Sequence, residues 1–451
     1  MIRHRIFAIA AITASLAAAA SPAVAGSVYA ARPAAMAAPD TAVTTKFDVN
    51  GVSVILRRNT ATEVVTANLY LLGGTRQLTS ATAGIEALLL ATSERGTHLF
   101  PGATVRQRTA RLGSTITIDP ADDWTAIGLH AIRATFDSTW AILADRVMAP
   151  TLDPGEFALV KDQFLSMARE RNTEPDNAAT ELADSLLYQN HPNAISPTGT
   201  VESLSALTVG QLRQYHAQQF VTSRMLLVVV GNVDRAQVEH LVRSTIATMP
   251  KGSYQWTPPP AVTTTGRALA IDNRSLPTNY LLGYVPGPAA TDPDYSALRV
   301  AAAVLSGRLF TEVRSRRNLS YAVEAPFLER GHAIAGLYVT TVDPNQVLGI
   351  MRGELTTLQT ETVDPVGLKR LEQQFITEYY LKNETNADQA NFLARAQLYQ
   401  GDFAAADRFM AALRRVTPED VRRVARQYLK DFRFAYVGDA SKLNRTLLEQ
   451  F

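Results

Sequence analysis

An internal repeat limits what this chain can fold into more than any other feature. Asn68-Leu69-Tyr70-Leu71-Leu72-Gly73 returns as Asn279-Tyr280-Leu281-Leu282-Gly283, an offset of 211 positions at the Asn and 210 from the Tyr onward. Leu152-Asp153-Pro154, followed by Phe157, Val160, Gln163, Phe164 and Leu165, returns at an offset of 211 as Val363-Asp364-Pro365 with Leu368, Leu371, Gln374, Phe375 and Ile376. Toward the end of each half, Leu207-Thr208-Val209-Gly210-Gln211 leads to Val230-Gly231-Asn232. Its copy, Val416-Thr417-Pro418-Glu419-Asp420, leads to Val437-Gly438-Asp439, with the offset drifting to 209 and then 207. Blocks that recur in register imply two copies of one fold.

Each block has a physical meaning. Asp153 and Asp364 stand where an N-cap carboxylate accepts from the first free amides of a helix, and Pro154 and Pro365 take the first helical position, which needs no N–H. Thr208 with Gln211, and Thr417 with Asp420, have capping-box spacing. Val64 to Leu72, Leu226 to Val230 and Phe432 to Val437 are aliphatic and aromatic runs that end at glycine, the pattern of strands. Each half is therefore expected to combine a sheet with several helices, an α+β arrangement, with one domain over residues 46–250 and a second over 266–451. The proline-rich run from Pro250 to Pro260 makes residues 251–265 a stiff, extended linker.

The other end of the chain speaks to export. Met1-Ile2-Arg3-His4-Arg5, an uncharged stretch from Ile6 to Ala20 and the small residues Ala23-Val24-Ala25 make a secretory signal over residues 1–25. Its apolar run is short for a membrane anchor and breaks at Pro22. Residues 26–45, rich in Ala and Pro, read as a loose lead-in. Cleavage after Ala25 removes Arg3 and Arg5 and no acid, so 44 basic residues fall to 42 against 42 acidic ones. That balance leaves no electrostatic footprint for nucleic acid. No cysteine is present, which excludes a disulfide framework, a thiolate metal ligand and a cysteine nucleophile. A metal would need histidine and carboxylate, and none of the seven histidines has a second one at i+3 or i+4.

Two duplicated α+β halves in an exported chain resemble the insulinase/pitrilysin family of zinc peptidases, and local sequences carry the resemblance across most of residues 46–440. Asn50-Gly51-Val52-Ser53-Val54-Ile55-Leu56 is similar to its opening strand. His191-Pro192 and Gly199-Thr200-Val201-Glu202-Ser203-Leu204 are similar to a recurring connection and helix. The family bears an inverted zinc motif, G-x-A-H-x-x-E-H-x-x-F-x-G-T, on an early helix. The ungapped match is Gly84-Ile85-Glu86-Ala87-Leu88-Leu89-Leu90-Ala91-Thr92-Ser93-Glu94-Arg95-Gly96-Thr97. Ala87, Leu90 and Ala91 stand where the first His, the catalytic Glu and the second His belong. In the motif, two imidazoles one helical turn apart grip Zn²⁺ and the carboxylate takes a proton from metal-bound water. Methyl and isobutyl groups do neither. The family's third ligand, a Glu on a later helix expected here over about 156–171, falls at Ala168, with Glu170 close by.

The second half keeps more. Arg308-Leu309-Phe310-Thr311-Glu312-Val313-Arg314-Ser315-Arg316-Arg317-Asn318-Leu319-Ser320-Tyr321 resembles the family segment whose Arg and Tyr hydrogen-bond substrate near the scissile carbonyl. Arg314 and Tyr321 fill those positions, and both are donors suited to a developing oxyanion. Thr115-Ile116-Thr117-Ile118 resembles the family's edge strand, which pairs with substrate backbone, although Thr117-Ile118 replaces a usual Asn-Ala step.

The resemblance thus implies a half-clamshell of two mainly antiparallel sheets packed with helices, in the periplasm, detached from the membrane once the signal is removed. It implies no cofactor in this chain, zinc in an insulinase-like partner subunit, a heterodimer, and peptides or unfolded protein as substrate. The alternative is a peptide-binding or structural pseudopeptidase with no part in hydrolysis.

Overall fold

The computed structural model describes residues 44–451. The expected signal and nearly all of the expected lead-in fall outside that range. The first strand, β1 (Thr44–Val49), begins two residues before the lead-in was expected to end. It turns at Asn50-Gly51, where both φ angles are positive (50° and 93°), into β2 (Val52–Arg58). The Asn-Gly pair is the favoured sequence for such a hairpin turn. The stretch expected to be the opening strand is therefore the second arm of a hairpin. Thr44–Val49 is too short and too polar to announce itself.

The N-terminal half continues with β3 (Val64–Leu72), α1 (Ile85–Ser93), α2 (Thr104–Arg111), β4 (Thr115–Pro120), β5 (Trp124–Ile132), α3 (Phe136–Met148), α4 (Pro154–Glu170), α5 (Pro175–Leu187), α6 (Val201–Ala206), α7 (Val209–Gln219), β6 (Met225–Gly231) and α8 (Arg235–Ser244). The C-terminal half comprises β7 (Ala268–Asn273), β8 (Asn279–Ala289), α9 (Asp294–Leu309), β9 (Val323–Glu324), β10 (Phe327–Leu328), β11 (His332–Thr341), α10 (Pro344–Thr360), α11 (Pro365–Lys382), α12 (Asn386–Gln400), α13 (Ala405–Leu413), α14 (Pro418–Tyr428) and β12 (Arg433–Gly438). The helix starts form as the caps require. Asp153 accepts from the amides of Gly155 and Glu156, Asp364 from those of Val366 and Gly367, and Thr208/Gln211 and Thr417/Asp420 close reciprocal capping boxes.

The first sheet runs β1-β2-β6-β3-β5-β4, and the second runs β10-β11-β8-β12-β7 with β9 also on β11. Within them, β2-β6-β3-β5 and β7-β12-β8-β11 have the same order and the same directions. One parallel pair (β2 with β6, β7 with β12) is followed by antiparallel neighbours. The duplication seen in the sequence is a duplication of topology.

Strand alternation sends side chains to two different cores. Val65, Ala67, Leu69 and Leu71 of β3, with Met225, Leu227 and Val229 of β6, join the half's own helices in one core. Tyr70 and Leu72, with Leu226, Val228 and Val230, point to the opposite face and meet Ala390, Leu393, Ala394 and Tyr399 of α12, a helix of the other half. The relation is reciprocal: Ala178, Ala179, Ala183, Leu187 and Tyr188, from α5 and its C-cap, cover Leu282, Tyr284, Ile334, Tyr338, Ala435 and Val437 of the second sheet. The unbroken apolar run Leu226–Val230 is what a strand buried on both faces needs. Alanines on the exchanged helices let them lie close against the sheets.

Polar contacts lock this exchange. The Tyr70 hydroxyl donates to Asn391 Oδ1 at 2.7 Å and Tyr399 to Asp123 Oδ2 at 2.6 Å. Arg330 pairs with Asp122 and donates to the Tyr188 hydroxyl at 2.8 Å. The linker is stapled along the same seam: Trp256 Nε1 donates to the Leu398 carbonyl at 2.8 Å, and Arg76 donates to the Thr257 carbonyl at 2.8 Å while lying 4.8 Å from the Trp256 ring. Among the described residues no helix is long and apolar enough to cross a membrane.

Two outcomes are expected from this packing. Leu393→Ala, a truncation in the C-terminal half, should cost about 2–5 kcal/mol and shift a single denaturant transition that reports on both halves; two separate transitions would contradict the exchange. Asp184 on α5 supplies a pH dependence. Its Oδ1 is shut off from solvent without a hydrogen-bond partner, and burial raises its pKa from 3.8 to about 7, against the opposing pull of Arg330. The folded state therefore binds this proton more tightly than the unfolded state. The group's contribution to stability should fall as pH rises from about 4 to 7 and level off above, by up to about 4 kcal/mol. Asp184→Asn should flatten that slope in urea unfolding measured across the range and raise stability at pH 8.

Candidate functional site

Helix α1 carries the stretch that resembles the family's zinc motif, and its chemistry is that of a core. All of its residues except half-buried Ala91 are buried, with Ala87 1% exposed and Leu90 0%. A helix that is apolar all round has no solvent face. It starts at Gly84, whose φ of 83° and approach to Gly199 leave no room for a side chain: a Cβ there would lie 2.8 Å from the Gly199 backbone. This close crossing joins the helix start to the Gly199-Thr200 connection, where Thr200 and Ser203 close a further capping box. At the other end, the Leu90 carbonyl accepts from Arg146 Nη2 at 3.2 Å and from Ser93 Oγ at 2.6 Å. Burial brings Arg146 down to about 10, with Glu94 at 4.0 Å acting the other way.

Helix α4 packs on α1. Its buried stripe runs through Phe157, Val160, Phe164 and Leu165 to Ala168, which packs against the same core as Ala91, whereas Glu170 at the last turn is exposed. Ala168 thus brings a methyl group to that core. Ala87, Leu90, Ala91 and Ala168 offer no lone pair to a metal, so these four positions do not fit zinc. Among the described residues no group of three or more His, Asp or Glu side chains could hold a metal ion.

One charged group sits inside this helix, and it was not foreseen. Glu86, 3% exposed, accepts from Arg224 Nη2 at 3.0 Å and from the Tyr215 hydroxyl at 2.8 Å. Arg224, 1% exposed, also donates to the carbonyls of Leu72 (2.7 Å) and Gln219 (3.0 Å). Burial pulls the Arg224 pKa down, yet the carboxylate and phenol beside it leave it raised overall; burial holds the Tyr215 phenol well above its usual range. The signal available in the sequence was a carboxylate within Ile85-Glu86-Ala87-Leu88-Leu89-Leu90, a stretch too apolar to have a wet side.

Beside α1 lies β4. Thr115, Ile116, Thr117 and Ile118 belong to this strand, which is the last in its sheet and pairs on one side only, with β5. Thr115 and Thr117 are exposed, while Ile116 and Ile118 pack toward the core. An edge strand presents free backbone donors and acceptors.

Arg314 and Tyr321 stand in the other half. Beyond Leu309, α9 runs on into a π turn over Phe310–Ser315, in which Arg316 N–H reaches the Thr311 carbonyl at 2.9 Å. Asn318 (φ 52°) then reverses the chain. This brings the Arg314 guanidinium carbon within 4.3 Å of the Tyr321 ring centroid and 5.0 Å of that of Phe310. Tyr321 is 79% exposed. Neither side chain makes a hydrogen bond or an ion pair among the described residues. The two sequence-derived groups therefore form separately, Thr115–Ile118 beside α1 and Arg314 beside Tyr321, and no side-chain contact joins them.

Comparisons with known proteins agree with this geometry. Residues 206–375, which include the Arg314/Tyr321 segment, match the family described as Peptidase M16 inactive domain. An uncharacterized zinc protease of Mycobacterium leprae is 25% identical over 280 residues, covering 60% of this chain and 63% of that protein. These matches support an insulinase-like family member that lacks the zinc motif. Its fold is that of the crystal structure of a peptidase M16 inactive domain from Pseudomonas fluorescens, at a TM-score of 0.81 and 19% identity over 88% of this chain and 98% of that one. The periplasmic protease PqqL from Escherichia coli matches at a TM-score of 0.73 and 14% identity; 94% of this chain corresponds to 49% of PqqL. The matches support a non-catalytic insulinase-like protein, and its helix α1 is part of a core.

That burial is testable through Glu86. Glu86→Ala leaves the Arg224 guanidinium buried without its counter-charge and should cost about 3–5 kcal/mol, read as a shift of the urea midpoint. Glu86→Leu combined with Arg224→Met should cost less than either single change.

Proposed function

We propose that this protein is the non-catalytic subunit of a periplasmic, heteromeric zinc peptidase that degrades peptides or unfolded protein. In this reading Arg314 and Tyr321 serve a partner's active site. The observation that carries it is the pair itself: an unpaired guanidinium and an exposed phenol held side by side, in a chain whose metal positions are hydrocarbon. Such donors have no reaction to assist within their own subunit. The correspondence of this chain to about half of a periplasmic protease supports a complement supplied by a second insulinase-like chain, and the signal-like N-terminus supports export.

The zinc and the activated water then belong to the partner. This chain contributes two donors, the Arg314 guanidinium and the Tyr321 hydroxyl, directed at the oxygen of the scissile carbonyl. Both bonds strengthen as charge develops on that oxygen, so the pair lowers the barrier more than it tightens substrate. The edge of β4 favours a second reading, in which residues 115–118 capture an extended peptide by strand addition and the chain takes no part in hydrolysis.

The deciding experiment mixes the mature chain with an insulinase-like subunit that retains H-x-x-E-H and follows cleavage of an unfolded protein. Arg314→Ala and Tyr321→Phe should each lower kcat by about 10²–10³-fold, with KM and subunit association nearly unchanged. Full activity of the zinc-bearing subunit alone, or variants equal to wild type in a verified complex, would leave the peptide-binding reading.

A further inference from the structure

We infer that Phe310 is a positioning residue that holds the Arg314 guanidinium ready with all of its N–H donors unspent, an inference that rests on the role proposed above for Arg314. Three arginines follow one another closely here, and they are treated differently. Arg316 and Arg317 both pair with Glu312, one on each carboxylate oxygen. Arg314 has no acidic partner and no hydrogen bond among the described residues. Its contacts are two aromatic rings, Phe310 at 5.0 Å and Tyr321 at 4.3 Å.

That choice of neighbour matters for chemistry. A carboxylate engages the edge of a guanidinium, the same edge a substrate oxygen needs, whereas a ring engages its face and leaves the in-plane donors free. Without a platform, the long side chain would spread over many rotamers and reach the productive one rarely. Phe310 lies four residues before Arg314, a spacing that puts two side chains on one face of a helix. Its ring is 42% exposed and has no polar group of its own. A large apolar ring left this open to water is explained by what it supports. Tyr321 cannot be the sole platform, because its phenol is itself committed to substrate.

Two measurements test this. In the complex with the zinc-bearing subunit, Phe310→Leu should reduce kcat about 2- to 5-fold, the factor equivalent to an exposed cation–ring contact, with KM unchanged and with recovery in Phe310→Tyr. In an Arg314→Ala background Phe310→Leu should have no further effect, because the ring acts through the guanidinium. In the isolated chain, with ¹⁵N-arginine, the Arg314 Nε–H resonance, identified by its loss in Arg314→Ala, should be displaced by the rings. It should move toward the position of solvated arginines in Phe310→Leu but not in Phe310→Tyr. If Arg314→Ala lowers kcat while Phe310→Leu does not, or if the two losses add, the positioning role is overturned while the reading of Arg314 stands. If Arg314→Ala itself leaves kcat unchanged, both fall together. An Arg314 resonance indifferent to Phe310→Leu overturns the positioning role without reference to any partner.

Discussion

Burial of the second face of each sheet is the constraint on which this structure depends. An open sheet with one apolar face can leave the other to water, but β3, β6, β8 and β12 are apolar on both. Each half therefore needs a cover it does not supply itself, and α5 and α12 provide it across the seam. The linker, the Tyr399–Asp123 bond and the Arg330–Asp122 pair follow from that arrangement, because they fill the polar margin where exchanged helix and foreign sheet meet. The result is one body over residues 44–451 in which β4 and Arg314 sit on fixed ground.

Loss of the metal site follows the same economy of burial. A zinc helix keeps a wet, polar face because ligands and bound water require it. Here Ala87 and Leu90 are buried, Ala91 is half-buried, and α1 is part of the core under the first sheet. Glu86 remains the exception, and it is tolerated because Arg224 and Tyr215 donate to its carboxylate, while the Leu72 and Gln219 carbonyls take up other donors of Arg224. The charged group at this helix makes structural contacts, and the Arg314/Tyr321 pair lies in the opposite half.

What the sequence revealed and what it hid divide along the range of the interactions. Capping residues such as Asp153, Thr208 and Asp364 act over three positions, and glycine-ended runs such as Val64–Leu72 act within one strand, so both were readable. Ala87, Leu90 and Ala91 could be set against the zinc motif because a frame of neighbouring residues fixed the register. The helix exchange was not, since Ala178, Ala179 and Ala183 look like any weakly apolar helix face until the foreign sheet lies opposite. Hairpin strand β1 was missed because only Phe47 and Val49 give it an apolar side. The Glu86–Arg224 pair joins residues far apart in the chain, and no local pattern predicts it. Phe310 was in plain view beside Arg314, but its relation to the guanidinium is a matter of geometry.

The exchanged helices also bear on how such a chain could have arisen. A single ancestral half, with the sheet and the helix now represented by α5 or α12, would have carried a cover that fitted the sheet of another copy and a sheet that awaited another copy's cover. Two such molecules satisfy each other by trading helices, which makes a symmetric swapped dimer. Tandem fusion of its two subunits through the proline-rich segment turns that partnership into one polypeptide with pseudo-twofold symmetry. Once both copies are encoded together, each is released from the need to serve both roles. The two copies are then free to diverge in side chains while the repeated strand order remains as the record of their common plan.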